Sequence, residues 1–153
     1  SDVAAYRAAA DAADMHSIRL IFSQFDLKPE GLDTDKGSWS QGYTCITQAT
    51  SYDEAKHMLF AFVEAEAFCK SGKKKVIALK CKYIVSYSVH GEPDPDAANR
   101  FAHHVGRFAA YPYFRAHFAE VTSQAGLYLP PLPVMREGRR IIGKSQDEPV
   151  GMP

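Results

Sequence analysis

From Val76 to Val89 the chain alternates between two sides without a slip. Ile77, Leu79, Cys81, Tyr83, Val85, Tyr87 and Val89 fall on one side, and Ala78, Lys80, Lys82, Ser86 and Ser88 on the other. A period of two over such a length fits a β-strand with one buried face and does not fit a helix. The run before it, His57–Phe68, has Leu59, Ala61, Val63, Ala65 and Ala67 on one face, with Met58, Phe60, Phe62, Glu64 and Glu66 opposite. Lys70-Ser71-Gly72-Lys73 separates the two runs, so they read as an antiparallel hairpin with one wet face. On that face Glu64 and Glu66 are expected to meet Lys80 and Lys82 as cross-strand ion pairs.

The other elements are placed around this hairpin. Residues 3–14 are alanine-rich and read as a short helix. In Ile18–Leu27, Ile18, Leu20 and Phe22 share one face while Ile21, Phe25 and Leu27 share the other. That break of phase reads as a bulge or as a strand buried on both faces. Lys28–Gln41, rich in Pro, Gly, Asp and Ser around Trp39, reads as a long connection, and residues 43–50 alternate as a further strand. Asp94-Pro95 supplies a helix N-cap followed by proline in the first turn. Phe101, Val105 and Phe108 then recur at helical spacing as far as Pro112, which is expected to kink the helix or start a new one. Beyond it Phe114, Phe118, Val121 and Ala125 form a second stripe, and Gly126 can adopt the left-handed conformation that ends helices. The expected fold is α+β: a four-stranded antiparallel sheet with helices packed on one face. Residues 1–14 are a short helical extension, 15–134 the domain, and 135–153 a mobile, charged, glycine- and proline-containing tail.

Composition narrows the function classes. The 18 basic and 18 acidic residues cancel, which gives no electrostatic footprint for nucleic acid. Lys70, Lys73, Lys74, Lys75, Lys80 and Lys82 do form a local basic patch that leaves a single-stranded nucleic-acid module as a weaker alternative. No apolar run is long enough to span a bilayer, so direct membrane insertion is not expected. Cys45, Cys69 and Cys81 are odd in number and far apart, which points to a reducing, cytoplasmic setting rather than a disulfide framework. His103 and His104 are adjacent and point to different helix faces, and no H-E-x-x-H or C-x-x-C spacing is present, so no metal or other cofactor is expected. Ser71-Gly72-Lys73 lacks the second glycine of a phosphate loop, and no nucleophile motif is found. The chain therefore reads as a non-enzyme, with a small-molecule-binding or enzymatic α+β domain as the alternative.

The residues from Gly106 to Pro133 carry a resemblance. Pro112, Tyr113 and Arg115, then Ala125, Gly126, Leu127 and Leu129, then Pro131 and Pro133 give a Pro-Tyr-x-Arg helix core, a small-residue helix end and a Leu-x-Leu-Pro-Pro-Leu-Pro exit. This pattern resembles the C-terminal part of the protein-export chaperone SecB and its relatives, most closely the SecB-like chaperones associated with toxin–antitoxin systems. Arg19-Leu20-Ile21-Phe22 with Phe25 and Leu27 looks like that family's first strand, and Trp39 sits where the family has a tryptophan in the following loop. The similarity runs over about residues 16–133.

The resemblance implies an ATP-independent holdase for unfolded polypeptides, either preproteins for export or an antitoxin, built as a homotetramer (a dimer of dimers). The surplus of apolar residues points the same way, since exposed apolar area marks oligomer contacts or binding grooves. The expected client groove comprises Trp39, Tyr43, Phe60, Phe62, Leu127, Leu129 and Leu132. The expected oligomer interface comprises Phe101, Phe108, Tyr111, Phe114 and Phe118. Export members of the family dock the cationic tail of SecA on sheet carboxylates. Gln24, Lys28, Lys80 and Lys82 stand near the corresponding places, so SecA binding is expected to be weak or absent.

Overall fold

The computed structural model describes residues 1–32 and 39–135. Along the chain run α1 (Asp2–Ala12), β1 (Ala13–Leu27), a 3-10 turn (Pro29–Leu32), β2 (Trp39–Asp53), β3 (Met58–Ser71), β4 (Lys74–Val89) and α2 (Pro95–Gln124). The strands form one sheet in the order β1-β4-β3-β2. β2, β3 and β4 follow one another by hairpins, and β1 lies on the free side of β4. Lys28 N donates to Val76 O at 2.9 Å and His90 N donates to Ala12 O at 2.8 Å. The end of each of these two strands thus meets the start of the other, which makes the pair antiparallel. The fold is α+β, as the hairpin and the helical final third imply.

The chain packs as two compact units. One comprises Ser1–Ile21, Ile46–Glu64 and Lys82–Ala110; the other comprises Phe22–Cys45, Ala65–Cys81 and the chain from Tyr111 onward. In the first unit Ser1 caps α1 by accepting from Ala4 N at 3.2 Å, and Asp94 caps α2 by accepting from Ala97 N at 2.9 Å. Tyr6 packs on Phe101 with ring centroids 6.1 Å apart, and Phe101 meets Tyr87 edge-on at 5.3 Å. The helix lies very close to the sheet at Gly106. A Cβ built there would stand 2.5 Å from Ala61 Cβ and 3.7 Å from Thr47 Oγ1 and Val63 Cγ2. Ala97, Ala98 and Ala102 on α2 are buried in the same unit, so small side chains form the helix's inner face.

Several elements differ from the sequence reading. The strands are longer: β2 begins at Trp39, and the connection before it contains the 3-10 turn, while residues 33–38 lie outside the described residues. The helical region is one 30-residue helix with Pro112 inside it rather than two short helices. Pro112 is exposed, so the carbonyl of Phe108 that loses its intrahelical donor lies on the solvent side, where water can replace the bond. β1 is not buried on both faces. It is a sheet edge, and Met15, Leu20, Ile21 and Phe22 are exposed along it. On β3 the odd positions from Leu59 to Cys69 are buried and the even ones half-buried. On β4 the alternation holds from Ile77 to Val85, but Val76 and Ser86, expected on the wet face, are buried as well. The expected mobile tail falls almost wholly on residues 136–153, outside the described residues.

Gly106→Ala tests the close approach of helix and sheet. Over-packing of this kind costs about 1–3 kcal/mol. A urea midpoint lowered accordingly is expected; an unchanged midpoint would mean that α2 stands further from β3 than described.

Candidate functional site

In the second unit the helix end is built by three residues. Gly126 takes a φ of 75°, Gly126 N donates to Ser123 O at 3.0 Å, and Leu127 N donates to Thr122 O at 2.9 Å. This is the Schellman arrangement, and it needs a residue that tolerates left-handed backbone. It turns Leu127 into an apolar cluster with Cys69, Val76 and Ile77, against which Phe25, Leu27, Trp39, Ala125 and Leu129 pack. Gly31 closes the cluster's edge; a Cβ there would come within 2.9 Å of Val76 O and 2.8 Å of Leu27 Cδ1.

After Leu127 the chain runs on to Met135 without helix or strand. This strap is held by side-chain donors on its carbonyls. Gln41 Nε2 donates to Pro130 O at 2.9 Å, Arg115 Nε to Leu132 O at 2.6 Å, and Tyr111 OH to Pro133 O at 2.5 Å. Gln41 is itself buried, and its other end accepts from Cys69 Sγ at 3.6 Å. Leu127 and Leu132 are buried pegs, while Tyr128 between them is 96% exposed. Trp39 Nε1 is buried and has no hydrogen-bond acceptor among the described residues. A buried donor left without a partner costs about 1–3 kcal/mol.

Burial dominates the ionisation of this region. It pushes the Cys69 thiol from 9.0 up to about 12. Burial also raises the Tyr43 and Tyr111 phenols; for Tyr111 the neighbouring Tyr43 adds to the effect and the Arg115 charge opposes it. The two rings pack at 5.0 Å. At the β3–β4 hairpin Lys74 pairs with Glu30, and Lys75 pairs with Glu66 at 3.0 Å. Lys70 and Lys75 also stand over the Phe68 ring at 5.3 and 4.7 Å. The basic patch is therefore in part neutralised and in part stacked within the chain. Lys80 and Lys82 are exposed on β4.

The sequence matches no protein-family model and no curated protein. Among solved structures it is similar to the Mycobacterium tuberculosis Rv1957 SecB-like chaperone, solved in complex with a ChAD peptide from the Rv1956 HigA1 antitoxin. The TM-score is 0.71 at 20% identity over 88% of this chain and 98% of that one. The fold is SecB-like.

Within this SecB-like fold the expected groove residues divide. Trp39, Leu127 and Leu129 come together in the second unit's cluster. Tyr43 and Leu132 are buried in the same unit, Tyr43 beneath Tyr111. Phe60 and Phe62 are half-buried in the first unit, on the β3 positions that alternate with the buried ones. Of the residues expected at an oligomer interface, Phe101, Tyr111, Phe114 and Phe118 are buried within the chain itself, and Phe108 is half-buried. Four of these five side chains thus fill the protomer's own core. Aromatic spacing along a helix marks a buried stripe equally whether its partner is the same chain or another.

The carbonyl-holding role of Gln41 escaped the sequence reading, because nothing local to Gln41 points to Pro130. Ser23 and His117 form a second unforeseen pair: Ser23 Oγ lies 2.9 Å from His117 Nε2 and accepts from Cys81 Sγ at 3.6 Å. Serine and histidine 94 positions apart give no sequence signal of their meeting.

The Cys69 thiol reports on the cluster. Its folded value lies above its ordinary 9.0, so the stability linked to it is complete below pH 9 and is lost as pH rises toward 12. At pH 8 Cys69 should resist alkylation in the folded protein and react only on unfolding. Rapid labelling at pH 8 without loss of structure would contradict the packing of this cluster.

Proposed function

We propose that this protein is an ATP-independent chaperone that holds non-native polypeptides, with an antitoxin as its favoured client. The observation that carries this reading is the SecB-like fold combined with apolar side chains arranged around an extended track in the second unit. Hydrophobic burial is non-directional, so such a surface accepts extended chains with little sequence preference. The protein similar in structure is itself a SecB-like chaperone bound to an antitoxin peptide, which supports a polypeptide partner of that kind. Within the second unit the client track is centred on Trp39 and Leu129 as its accessible anchors, with the buried Tyr43, Leu127 and Leu132 as the support beneath them; Phe60 and Phe62 are a half-buried apolar pair of their own in the first unit.

The protein works in the cytoplasm as a homotetramer, a dimer of dimers. Assembly is supported by apolar side chains along the β1 edge, where Leu20, Ile21 and Phe22 are exposed. An apolar edge strand favours closure onto another copy. Phe108, the half-buried member of the helix stripe, remains available to such a contact. Purified protein should scatter light as a tetramer and suppress aggregation of an unfolded model client without nucleotide. No suppression at stoichiometric excess would end the holdase reading.

Delivery to SecA is weak or absent in this scheme. Lys80 and Lys82 are exposed on β4, and a cationic tail approaching them meets like charge. Calorimetry with a SecA tail peptide should give no measurable heat. Lys80→Glu with Lys82→Glu should begin to create binding, and micromolar binding to the unaltered protein that weakens with salt would restore an export role.

A further inference from the structure

The zero net charge of the chain is a cancellation between its two units. Among the described residues the first unit carries nine carboxylates against six lysines and arginines, and the second carries four carboxylates against seven. A local excess of one sign acts on a partner at that place, whatever the total. Bulk neutrality therefore does not exclude an anionic partner for the second unit.

The cations of the second unit are concentrated at the β3–β4 hairpin, where Lys70, Lys73, Lys74 and Lys75 fall within six residues. The turn itself is unobstructed: Gly72 takes a φ of 64°, and a Cβ there would meet nothing within 4 Å. Lys28 joins the hairpin from the end of β1, its N–H donating to Val76 O at 2.9 Å. Two of the lysines are paired already, Lys74 with Glu30 and Lys75 with Glu66. The hydrogen bond from Lys74, with the charges of Lys74 and Lys28 behind it, holds the Glu30 carboxyl below its ordinary value. Lys70 and Lys73 have no carboxylate partner among the described residues.

Two features of the tip favour a carboxylate over a nucleic acid. The Phe68 ring already carries the ammoniums of Lys70 and Lys75, at 5.3 and 4.7 Å, so it is a poor platform for stacking a base. No arginine lies in residues 65–81 to grip a phosphate with a planar fork. The neighbouring residues point to a polypeptide. Cys69 and Val76, next in sequence to Lys70 and Lys75, belong to the apolar cluster against which Trp39 and Leu129 pack. A segment with acidic residues beside apolar ones can meet both.

We propose that the tip of the β3–β4 hairpin, through Lys70 and Lys73, is a charge-reading contact that selects polypeptide partners carrying Asp or Glu beside an apolar stretch. This rests on the reading of the protein as a polypeptide binder and adds which partners it favours. The tip lies outside the apolar track, so it sets preference among segments and is not required for apolar holding. Each exposed ammonium–carboxylate pair contributes a factor of a few at most and is screened by salt. Several together give a preference of about tenfold that is confined to low salt.

The probes are fluorescent synthetic peptides that share one leucine- and tryptophan-rich centre and are flanked by glutamates, by serines or by lysines. Each is titrated into the full chain and followed by anisotropy. At low salt the glutamate-flanked peptide should bind about tenfold more tightly than the serine-flanked one, and the lysine-flanked one should bind most weakly. Salt at about 0.5 M should bring the three together, a measurement that needs no variant. Lys70→Gln with Lys73→Gln should remove most of the preference while the serine-flanked peptide binds as before, and Lys70→Arg with Lys73→Arg should keep it. Equal affinity for glutamate and serine flanks, or a preference that survives high salt or the loss of both lysines, overturns the proposal. So does a thymidine oligonucleotide that binds as tightly as the glutamate-flanked peptide and loses its affinity with the same two lysines, since the tip would then hold any polyanion. If unfolded clients aggregate undiminished while the glutamate-flanked peptide still binds through Lys70 and Lys73, the holdase reading falls and this one stands. If aggregation is suppressed without any preference among flanks, this one falls and the holdase reading stands.

Discussion

The close approach of α2 to the sheet is the constraint on which the rest depends. At Gly106 there is no room for a methyl group against Ala61. Within the first unit buried Ala97, Ala98 and Ala102 on α2 and Ala61 on β3 keep both surfaces flat. Flat, small-residue surfaces gain their energy from many dispersion contacts at short range, so the loss of a fraction of an ångström is felt at once. Larger residues are used at the flanks. Tyr87 and Phe101 fill the first unit, and Tyr43, Tyr111, Phe114 and Phe118 fill the second.

This use of the aromatics has a functional consequence. Side chains that fill the protomer's core cannot also supply contact area to a client or to another copy. The apolar surface left over lies along β1, on the half-buried side of β3, and around Trp39 and Leu129. A binding reading of this chain therefore rests on edge strand and strap more than on the long helix. In the second unit the strap is held by polar as well as apolar contacts, with Gln41, Tyr111 and Arg115 donating to its carbonyls.

The buried polar groups follow the same division. Gln41 and Arg115 are satisfied by carbonyls that arrive from far along the chain, whereas Tyr87 OH and Trp39 Nε1 stay buried without partners among the described residues. Unmet donors in a native core need a reason. For neither Trp39 nor Tyr87, the latter in the aromatic stack with Phe101, do we have a physical account.

The sequence by itself determined the local structure. Period-two alternation set β3 and β4 and the face each buries, Gly72 marked their turn, and Asp94-Pro95 and Gly126 set the two ends of α2, because each of these signals acts over a few residues of backbone. The motif from Pro112 to Pro133 carried the resemblance that the SecB-like fold bears out, since it combines helix end, strap and prolines in one stretch. Sequence did not decide whether Pro112 divides the helix, because the outcome depends on whether the freed carbonyl faces solvent. It did not distinguish exposed from buried in β1, because an apolar run has the same letters at an edge as at the centre of a sheet. Nor did it join Gln41 to Pro130 or Ser23 to His117. Those contacts exist only once the chain has folded, because non-local packing brings distant residues together and no periodicity or spacing encodes it.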